Sequence, residues 1–347
     1  MAIEIIGWDI GGAHIKAAVL NARGELTAIR QKPCPLWQGL DKLRSAVDSI
    51  MHELPSAPYR HAITMTGELV DLFAGRDDGV KTIIETMIGL LPGADLLIYA
   101  GKLGFLNASK LDSRHYESIA SANWLASASY AAQKIGRGLF IDIGSTTTDI
   151  LLLDKGRVKA EGYSDYERLV TQELIYTGIV RTAVMAIAEC VEDRDGEVGL
   201  MAEYFATMAD VYRLTGELNE AHDQADTADG AEKTVFASAR RLSRMVGCDF
   251  DPVELPRWQR LAENLRARQL QKIRRGCEKQ LARGSLAVSI PFVGAGVGRF
   301  LVKCLADSIG YPYLDFSELF PAMTNVNGMT AADCAPAVAV ASLARGY

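Results

Sequence analysis

Two short segments of the 347-residue chain read as copies of one unit. They are residues 3–26 and residues 138–158. Aligning Asp9 with Asp142 also aligns Gly11 with Gly144, and an apolar run follows each turn. Each copy predicts a strand, a turn of small residues, a second strand, a polar turn and a third strand. The duplication predicts an α/β fold of two domains with mixed sheets that face each other across a cleft.

The small-residue turn in each copy leads into a second strand rather than a helix. The Walker-type phosphate loop and the dinucleotide fingerprint both run from a strand through a glycine turn into a helix, so neither motif is present at these positions. Each copy offers instead a β-hairpin whose tight turn exposes backbone N–H groups, with an aspartate just before the turn. Concave rows of N–H groups bind anions, so each hairpin predicts an anion site.

Together, the two hairpin turns predict a cradle for a diphosphate or a triphosphate. Glycine has no Cβ, which lets the backbone approach a phosphate closely, and hydroxyl groups add further donors. The predicted phosphate-binding residues of the two turns are Gly11, Gly12, Gly144, Ser145, Thr146 and Thr147. The alternative is that both hairpins are ordinary β-turns with solvated aspartates, but a matched pair of turns favours the cradle.

Two aspartates in a phosphate site repel the ligand unless a cation lies between them. Mg²⁺ binds through one or two carboxylates together with water and phosphate oxygens, so Asp9 and Asp142 are the predicted metal ligands. Lys16 lies on the strand after the first turn, from which its ammonium group can point at the same phosphates. These three residues are therefore candidates for the chemistry of the site.

A third glycine site lies late in the chain, where Gly294, Gly296 and Gly298 follow a predicted strand and precede a predicted helix. The spacing is near the dinucleotide pattern, but the third glycine falls one residue early and Arg299 stands where a small residue is needed. Three interpretations remain open: a turn against which a nucleotide lies, close packing of strand on helix, and a true dinucleotide site. The first fits the spacing best.

Three further side chains are candidate substrate-binding residues. Glu68 follows a predicted strand that ends at Met65, and strand ends in α/β proteins line ligand crevices. Asn123 lies beside Trp124 in a helix rich in serine and alanine, where it either faces the cleft or only packs. Arg181 is a candidate clamp for a phosphate or a carboxylate, although an arginine of this kind more often forms a surface ion pair.

Composition excludes several classes of protein. The chain has 43 acidic residues against 37 lysines and arginines, a net charge of −6, which argues against nucleic-acid binding by bulk charge. No stretch has the character of a transmembrane helix or a signal peptide, and the six cysteines are scattered without a Cys-x-x-Cys pair. These features predict a cytoplasmic protein without a disulfide framework or a zinc site.

Hydrophobic periodicity predicts the remaining organisation. Residues 168–191 and residues 257–283 have helical spacing, the second as a strongly basic amphipathic helix whose charges face solvent. The predicted domains are residues 1–135, residues 136–330 with a helical insertion at about 190–285, and a closing helix over residues 331–347 that packs back on the first domain.

The two Asp-x-Gly hairpins and the late glycine turn resemble the actin-like ATPase superfamily, and the resemblance covers nearly the whole chain in the right order. In that superfamily the three segments are two phosphate loops and an adenosine loop, which here are residues 9–16, 142–149 and 294–298. The resemblance implies two ribonuclease-H-like domains flanking a central cleft, with Mg²⁺ and either ATP or a diphosphate as ligands.

Longer motifs resemble a narrower group. The sequence IGSTTTDI at residues 143–150 is similar to the hydantoinase/oxoprolinase branch. The motifs GWDIGGAHIK, SANW, AEYFATMADVYR, DTADG and RMVGCD together resemble tetrahydromethanopterin-linked C1-transfer pathway proteins, which are similar to a synthase of methanofuran biosynthesis. One departure is Ala183, which stands where proline tends to follow the Arg-Thr pair, and we expect it to affect local geometry more than chemistry.

This narrower resemblance implies a transferase of methanofuran or methylofuran biosynthesis. It would join an aminomethyl-furan methyl diphosphate to the phenol of γ-glutamyltyramine, or of a tyrosine derivative, and release diphosphate. Mg²⁺ and backbone donors would take up the charge on the leaving oxygens. A phenol has a pKa of about 10 and needs help to lose its proton, for which Asp149 or Asp142 is a candidate base.

Two other activities remain open at the level of the sequence. One is an ATP-dependent small-molecule kinase or hydantoinase-like ATPase of the same fold, and the other is a nucleotide-sensing module without catalysis. The expected partners are the small diphosphate and phenol substrates, without nucleic acid or membrane. A homodimer is an open alternative to a monomer.

Overall fold

A computed structural model describes residues 3–194, 196–284, 290–321 and 328–347, and it divides into two compact units. The first unit comprises Met1–Gly138, Leu153–Lys159 and Leu314–Tyr347, and the second comprises Leu139–Leu152 and Ala160–Tyr313. The predicted second domain also includes residues 195, 285–289 and 322–327, which lie outside the described residues.

Both units combine strands and helices. The strands are β1 (Glu4–Ile10), β2 (His14–Leu20), β3 (Leu26–Pro33), β4 (Tyr59–Met65), β5 (Asp95–Tyr99), β6 (Phe105–Asn107), β7 (Gly138–Ile143), β8 (Thr148–Asp154), β9 (Arg157–Val158), β10 (Leu174–Ile175), β11 (Cys190–Asp193), β12 (Gly196–Gly199), β13 (Phe292–Ala295) and β14 (Tyr313–Asp315). The helices are α1 (Leu40–His52), α2 (Arg76–Leu90), α3 (Tyr116–Ile119), α4 (Asn123–Ile135), α5 (Asp165–Thr171), α6 (Met208–Thr215), α7 (Val235–Arg244), α8 (Leu255–Ala282), α9 (Arg299–Ile309) and α10 (Ala335–Leu343).

The first unit is built on a mixed sheet with the strand order β3-β2-β1-β4-β5-β6. Strand β1 pairs antiparallel with β2 and parallel with β4, so the predicted hairpin forms part of a larger sheet. Every residue of β1 after Glu4 is buried, which is the pattern of a central strand covered on both faces. Helix α10 packs so closely on β1 that a Cβ at Gly7 would lie 2.0 Å from the carbonyl oxygen of Ala337.

The second sheet has the strand order β10-β8-β7-β13-β14, with β9 paired to the end of β8. Strand β13 runs parallel to β7, and its last residue, Ala295, lies beside Asp142. Apolar residues of α6, α8 and α9 pack together with this sheet; Tyr212, Trp258 and Leu301 are all fully buried there. This core holds the second and third glycine turns in place.

The two hairpins are built alike, as the sequence duplication predicts. The N–H of Gly11 donates to the carbonyl of His14 at 2.9 Å, and the N–H of Gly144 donates to the carbonyl of Thr147 at 2.9 Å. Both pairs fall at matched positions of the alignment that puts Asp9 on Asp142. The turn of each hairpin therefore closes with the same hydrogen bond.

A second matched bond ties each hairpin to the strand that follows it in the sheet. The N–H of Thr66, after β4, donates to the carbonyl of Ile10 at 2.9 Å. The N–H of Gly298, after β13, donates to the carbonyl of Ile143 at 2.8 Å. Each unit therefore repeats one arrangement of hairpin, parallel strand and returning loop.

The helix predicted over residues 168–191 is wrong for most of its length. Helix α5 ends at Thr171, the short strand β10 follows, and residues 176–183 are irregular. Ile179 and Val180 are buried, and the segment that carries them packs on the second glycine turn. The hydrophobic spacing of this segment reflects which residues are buried by tertiary contacts, and it does not reflect helix geometry.

The stretch predicted as a helical insertion begins with the hairpin β11–β12 and becomes helical only from α6 onward. The predicted amphipathic helix is confirmed as α8, which has 28 residues. Its charges do not all face solvent: Arg257 pairs with Asp193 at 2.6 Å and Arg266 pairs with Glu217 at 2.6 Å. The basic helix and the acidic segment before it are therefore complementary.

A buried ionic network connects α6 to α7. The carboxylate of Asp210 accepts hydrogen bonds from Arg241 at 2.8 Å and from the Ser238 hydroxyl at 2.7 Å. Arg213 pairs with Asp223 at 2.6 Å, and Asp229 accepts from Arg241 at 3.0 Å. The network explains the motifs AEYFATMADVYR and DTADG as structural elements of this unit, because their charged residues satisfy one another.

Across the described part of the chain, no helix combines the length and the apolar character that crossing a membrane requires.

Candidate functional site

The carboxylate of Asp9 lies one residue before the end of β1, where the first glycine turn begins. In the sheet, Asp9 is the partner of Lys16 on β2 and of Thr64 on β4. Partners on neighbouring strands project from the same face, so these three side chains share one surface of the sheet. Only 8% of Asp9 is exposed, which makes it a largely desolvated carboxylate.

Asn123 approaches Asp9 from the start of α4. Its amide nitrogen donates to Asp9 Oδ1 at 3.4 Å, while its own Oδ1 accepts from the backbone N–H of Trp124 at 2.7 Å. The second bond fixes the amide with its NH₂ toward the aspartate. Trp124 itself is buried, with 3% of its surface exposed. Asn123 therefore lies beside Asp9, and Trp124 packs in the core.

Glu68 is buried in the short 3-10 helix Gly67–Leu69, three residues after the end of β4. Only 1% of its surface is exposed, and its Oε1 accepts a hydrogen bond from Ser121 Oγ at 2.7 Å. Ser121 has a positive φ of 50°, a conformation that costs a residue with a side chain about 1–2 kcal/mol. Asn123 follows two residues later, so the strained SANW segment delivers contacts to both acidic side chains. This strain was not predictable from the residue pattern.

The ammonium group of Lys16 is held within the first unit. Lys16 Nζ donates to the backbone carbonyl of Asp333 at 2.8 Å. Asp333 caps the short 3-10 helix Ala331–Cys334 that precedes α10. Lys16 therefore connects the first hairpin to the closing helix, in addition to facing the same side as Asp9.

In the second unit, Asp142 occupies the position that matches Asp9. The third glycine turn packs directly on it: a Cβ at Gly296 would lie 2.3 Å from Asp142 Oδ1 and 2.3 Å from the Ile143 carbonyl oxygen. Gly296 also has a φ of 78°, which only glycine adopts readily. The structure therefore brings two of the predicted glycine motifs together within one unit.

The third turn connects β13 to α9 as the sequence predicts, with Gly298 as the residue before the helix. A Cβ at Gly298 would lie 2.5 Å from the Ile143 side chain, and one at Gly294 would lie 2.7 Å from the Tyr313 ring. Arg299 folds back and donates to the Gly296 carbonyl at 3.0 Å. The glycines are thus needed for close packing. This is compatible with two of the interpretations left open by the sequence, the packing of strand on helix and the turn against which a nucleotide lies.

Residues 177–182 form a loop that wraps the second glycine turn, a contact that the sequence did not predict. The N–H groups of Val180 and Arg181 both donate to the Ser145 carbonyl, at 3.1 and 2.9 Å. A Cβ at Gly178 would lie 2.4 Å from Ser145 and Thr146 backbone atoms. The TGIVRT sequence therefore supports the turn, and the glycine in it is the signal that could have revealed the close approach.

The same loop places Arg181 beside the turn. Its side chain is exposed, and its Nη1 donates to Thr146 Oγ1 at 3.4 Å. Neighbouring backbone groups are fixed, because the N–H of Ala209 donates to the Val180 carbonyl at 3.2 Å. Arg181 therefore places a cation beside the second glycine turn, on a backbone that hydrogen bonds hold in position.

A buried amide supports the wrapping loop from the side of α8. Gln269 is fully buried, and its Nε2 donates to Thr177 Oγ1 and to the Gly178 carbonyl, both at 2.8 Å. Its Oε1 accepts a hydrogen bond from the Tyr212 hydroxyl. All the hydrogen-bonding atoms of this amide are therefore used to hold α6, α8 and the loop in one arrangement.

Asp149, a candidate base, forms an ion pair with the buried Arg168. The two side chains lie 2.5 Å apart, and only 2% of Arg168 is exposed. Burial raises the pKa of Asp149, while the Arg168 guanidinium acts in the opposite direction. Arg168 is therefore a buried structural partner of Asp149.

Two buried hydroxyl groups have no hydrogen-bond partner among the described residues: Thr64 Oγ1 on β4, beside Asp9, and Ser145 Oγ in the second turn. Buried polar groups almost always have a partner, so these atoms fit a site that receives an oxygen-rich ligand. Within the described ranges there is no cluster of three or more histidine, cysteine or acidic side chains arranged to hold a metal. A Mg²⁺ ion held by one or two carboxylates and by phosphate oxygens does not require such a cluster.

Comparison with known proteins identifies relatives over nearly the whole chain. Residues 60–338 match the family model described as hydantoinase/oxoprolinase. A protein of Methanocaldococcus jannaschii, named (4-{4-[2-(gamma-L-glutamylamino)ethyl]phenoxymethyl}furan-2-yl)methanamine synthase, is 28% identical over 321 residues, which cover 92% of this chain and 93% of that protein. A Methanococcus vannielii protein of the same name is 30% identical over 127 residues, which cover 36% of this chain and 57% of that protein.

A solved structure of nucleotide-free acetone carboxylase is similar in fold, with a TM-score of 0.57 and 11% identity over 89% of this chain and 68% of that one. Together with the two mixed sheets, each built from a hairpin and a following parallel strand, this confirms the predicted actin-like ATPase fold class. The family model spans most of the sequence, including all of the second glycine turn and the third. The chain belongs to the hydantoinase/oxoprolinase family.

Proposed function

We propose that this protein is a transferase that forms an ether between a furan-methyl group and the phenol of a γ-glutamyl tyramine or tyrosine, with diphosphate as the leaving group. One observation carries the proposal: the likeness to a named synthase extends over 92% of this chain and 93% of that relative. The relative's name describes a phenoxymethyl group on a furan, which is the ether that such a reaction forms. The activity would belong to methanofuran or methylofuran biosynthesis.

The proposed reaction is a displacement at carbon. The phenol oxygen forms a bond to the furan methylene carbon, the bond between that carbon and the diphosphate oxygen breaks, and a base takes the phenol proton. The departing diphosphate carries the electron pair, and donors aimed at its oxygens lower the barrier. In the second unit these donors would be the hydroxyl groups of Ser145 and Thr146 and the guanidinium of Arg181, because the Gly144 N–H already donates to the Thr147 carbonyl.

Asp9 and Asp142 would hold Mg²⁺, and the Thr64 hydroxyl is a further oxygen beside Asp9. When bound, the ion would neutralise charge on the diphosphate. The candidate bases remain Asp142 and Asp149. Both stay open, because burial raises the pKa of Asp149 while the Arg168 guanidinium acts in the opposite direction.

An ATP-dependent reaction is a second candidate function. The observation that favours it is the third glycine turn, which packs on Asp142 and which corresponds to the adenosine loop implied by the family resemblance. In this alternative, ATP would occupy the glycine turns and a γ-phosphate would be transferred or hydrolysed. Both candidates use the same two aspartates.

Product analysis by mass spectrometry separates the two candidates. The purified chain is incubated with Mg²⁺, an aminomethyl-furan methyl diphosphate and γ-glutamyltyramine, in parallel reactions with and without ATP. The proposal predicts an ether whose mass equals that of the two substrates minus diphosphoric acid, formed equally in both reactions. Formation of ADP that depends on the acceptor, without any ether, would establish the ATP-dependent alternative instead.

A further inference from the structure

The first unit contains a polar cavity of about 790 Å³ that includes no residue of the glycine turns. Its walls come from the β2–β3 turn, the end of β5 with the loop after it, the last turns of α4 and the chain beyond α10. A cavity of this size lies in the range of small-molecule sites, about 300–1,000 Å³. The cavity is therefore large enough for an organic ligand of the size of a sugar phosphate or a tricarboxylic acid.

Positive charge dominates the lining of this cavity. Four cationic side chains line it, Arg23, Lys102, Lys134 and Arg345, against the single acidic side chain of Glu25. Arg23 pairs with that glutamate at 2.8 Å. The whole chain carries a net charge of −6, so the concentration of cations here is opposite in sign to the average of the molecule.

Two of these cations form no ion pair with any described residue: Lys134 and Arg345. Lys134 Nζ lies 5.3 Å from the centre of the Tyr130 ring. The guanidinium of Arg345 lies against the backbone of Gly24, where a Cβ would be 1.9 Å from Nη1. Both side chains are exposed at the cavity wall, and neither is neutralised by a carboxylate of a described residue.

Hydroxyl groups supply uncharged donors on the same walls. Tyr99, Tyr130 and Ser129 line the cavity, and so does Ser342, whose hydroxyl already donates to the Val338 carbonyl at 2.8 Å. Burial raises the pKa of Tyr99 to about 12 and also raises the pKa of Tyr130, so both phenols keep their protons at neutral pH. A protonated phenol can donate a hydrogen bond to an anion.

We propose that this cavity is a second ligand site, which binds a small organic polyanion through Lys134 and Arg345. The ligand class is a molecule with two or more carboxylate or phosphate groups, because two unneutralised cations and several hydroxyl donors line one concave surface. Charge-assisted hydrogen bonds to such groups are stronger than neutral ones. The site is separate from the proposed ether-forming chemistry and does not depend on it.

Isothermal titration calorimetry on the full chain tests this site, with citrate as the carboxylate probe and fructose 1,6-bisphosphate as the phosphate probe. Both are titrated into the wild type and into the variants Lys134→Gln and Arg345→Gln. Lys81→Gln is the matched control, because it removes one charge from an exposed position on α2 that does not line the cavity. Melting temperatures of the variants establish that each is folded.

The proposal predicts that at least one probe binds the wild type and the control equally. It also predicts that each of the two cavity variants weakens this binding by about tenfold or more, as expected for loss of a charge-assisted hydrogen bond. Arg345→Lys, which keeps the cation, should retain most of the affinity. Absence of binding by both probes up to millimolar concentration, or equal affinity in the wild type and both cavity variants, would overturn the proposal.

Discussion

Asp9 and Asp142 occupy matched positions in the two hairpins, yet their surroundings differ. Asp9 meets the Asn123 amide in the first unit, whereas Asp142 lies under the third glycine turn in the second. The residue pattern was enough to predict both aspartates and the glycines after them, because each hairpin must repeat the same turn. It was not enough to predict Thr64 or Ser121, because their roles follow from strand pairing and from a strained backbone.

The first prediction concerns the two aspartates. Asp9→Asn and Asp142→Asn should each abolish most activity and leave the melting temperature unchanged or slightly raised. Burying a charged carboxylate is unfavourable, and asparagine removes the charge while it keeps most of the hydrogen bonding. Asp41→Asn on the exposed surface of α1 is the control and should be silent in both measurements. Full activity in either variant would remove that residue from the proposed site.

The second prediction concerns the pH dependence of stability through His61. This side chain is 3% exposed and its Nδ1 accepts a hydrogen bond from the Trp8 indole at 3.0 Å. Burial lowers its pKa to about 4, with Asp95 acting in the opposite direction. The unfolded chain binds the proton at about pH 6.5, and the folded chain binds it only near pH 4. The free energy of unfolding is therefore unaffected by His61 above about pH 6.5 and decreases as the pH falls toward 4.

The loss through His61 amounts to about 3 kcal/mol at most, from 1.36 kcal/mol for each pKa unit. His61→Gln keeps an acceptor for the indole but does not titrate in this range. Unfolding free energies measured at several pH values should therefore fall more steeply for the wild type than for the variant below about pH 6.5. Parallel curves would show that His61 is not buried as described.

At the scale of elements, the loop of residues 177–182 links the second glycine turn to α6 and α8. Residues 168–191 were predicted as a helix from their hydrophobic spacing, but single-sequence periodicity cannot tell whether buried residues such as Ile179 and Val180 face a core from a helix or from a loop. Long amphipathic α8 was predictable, since its pattern repeats over many turns. The loop was not, since its conformation depends on contacts with Ser145 and Gln269, which are distant in sequence.

The third prediction is that Gln269→Leu lowers both stability and activity. The variant leaves the Thr177 hydroxyl and the Gly178 carbonyl without their partner, at a cost of about 1–3 kcal/mol for each buried group. We expect kcat to fall at temperatures well below the melting transition, because the glycine turn loses its support. Gln271→Leu, on an exposed position of the same helix, is the control. Unchanged kcat in folded Gln269→Leu would argue against a positioning role.

The fourth prediction concerns the ionic network between α6 and α7. Asp210→Asn removes the carboxylate that the buried Arg241 depends on, and breaking a buried pair in this way typically costs about 3–5 kcal/mol. Thermal unfolding should report this loss. Asp226→Asn, on an exposed residue of the neighbouring loop, should change stability little. An equal effect of both substitutions would contradict the network as described.

At the scale of the whole molecule, the duplication visible in the sequence corresponds to two units that repeat one arrangement of strands. The fold class was predictable because two copies of a hairpin, in the right order with a third glycine turn, leave few architectures. The boundaries of the helices were less predictable, since they depend on packing within each unit. What the chain does follows less directly, because one fold supports both ATP chemistry and the proposed displacement.

The most direct test of the central claim follows one oxygen atom. The furan substrate is prepared with oxygen-18 in the bridging position between its methylene carbon and the diphosphate, and the products are weighed by mass spectrometry. Displacement at carbon predicts that all of the label leaves with the diphosphate and that the ether contains only the unlabelled oxygen of the phenol. Label retained on the furan product would mean that a phosphorus–oxygen bond had broken instead, and would contradict the proposed function.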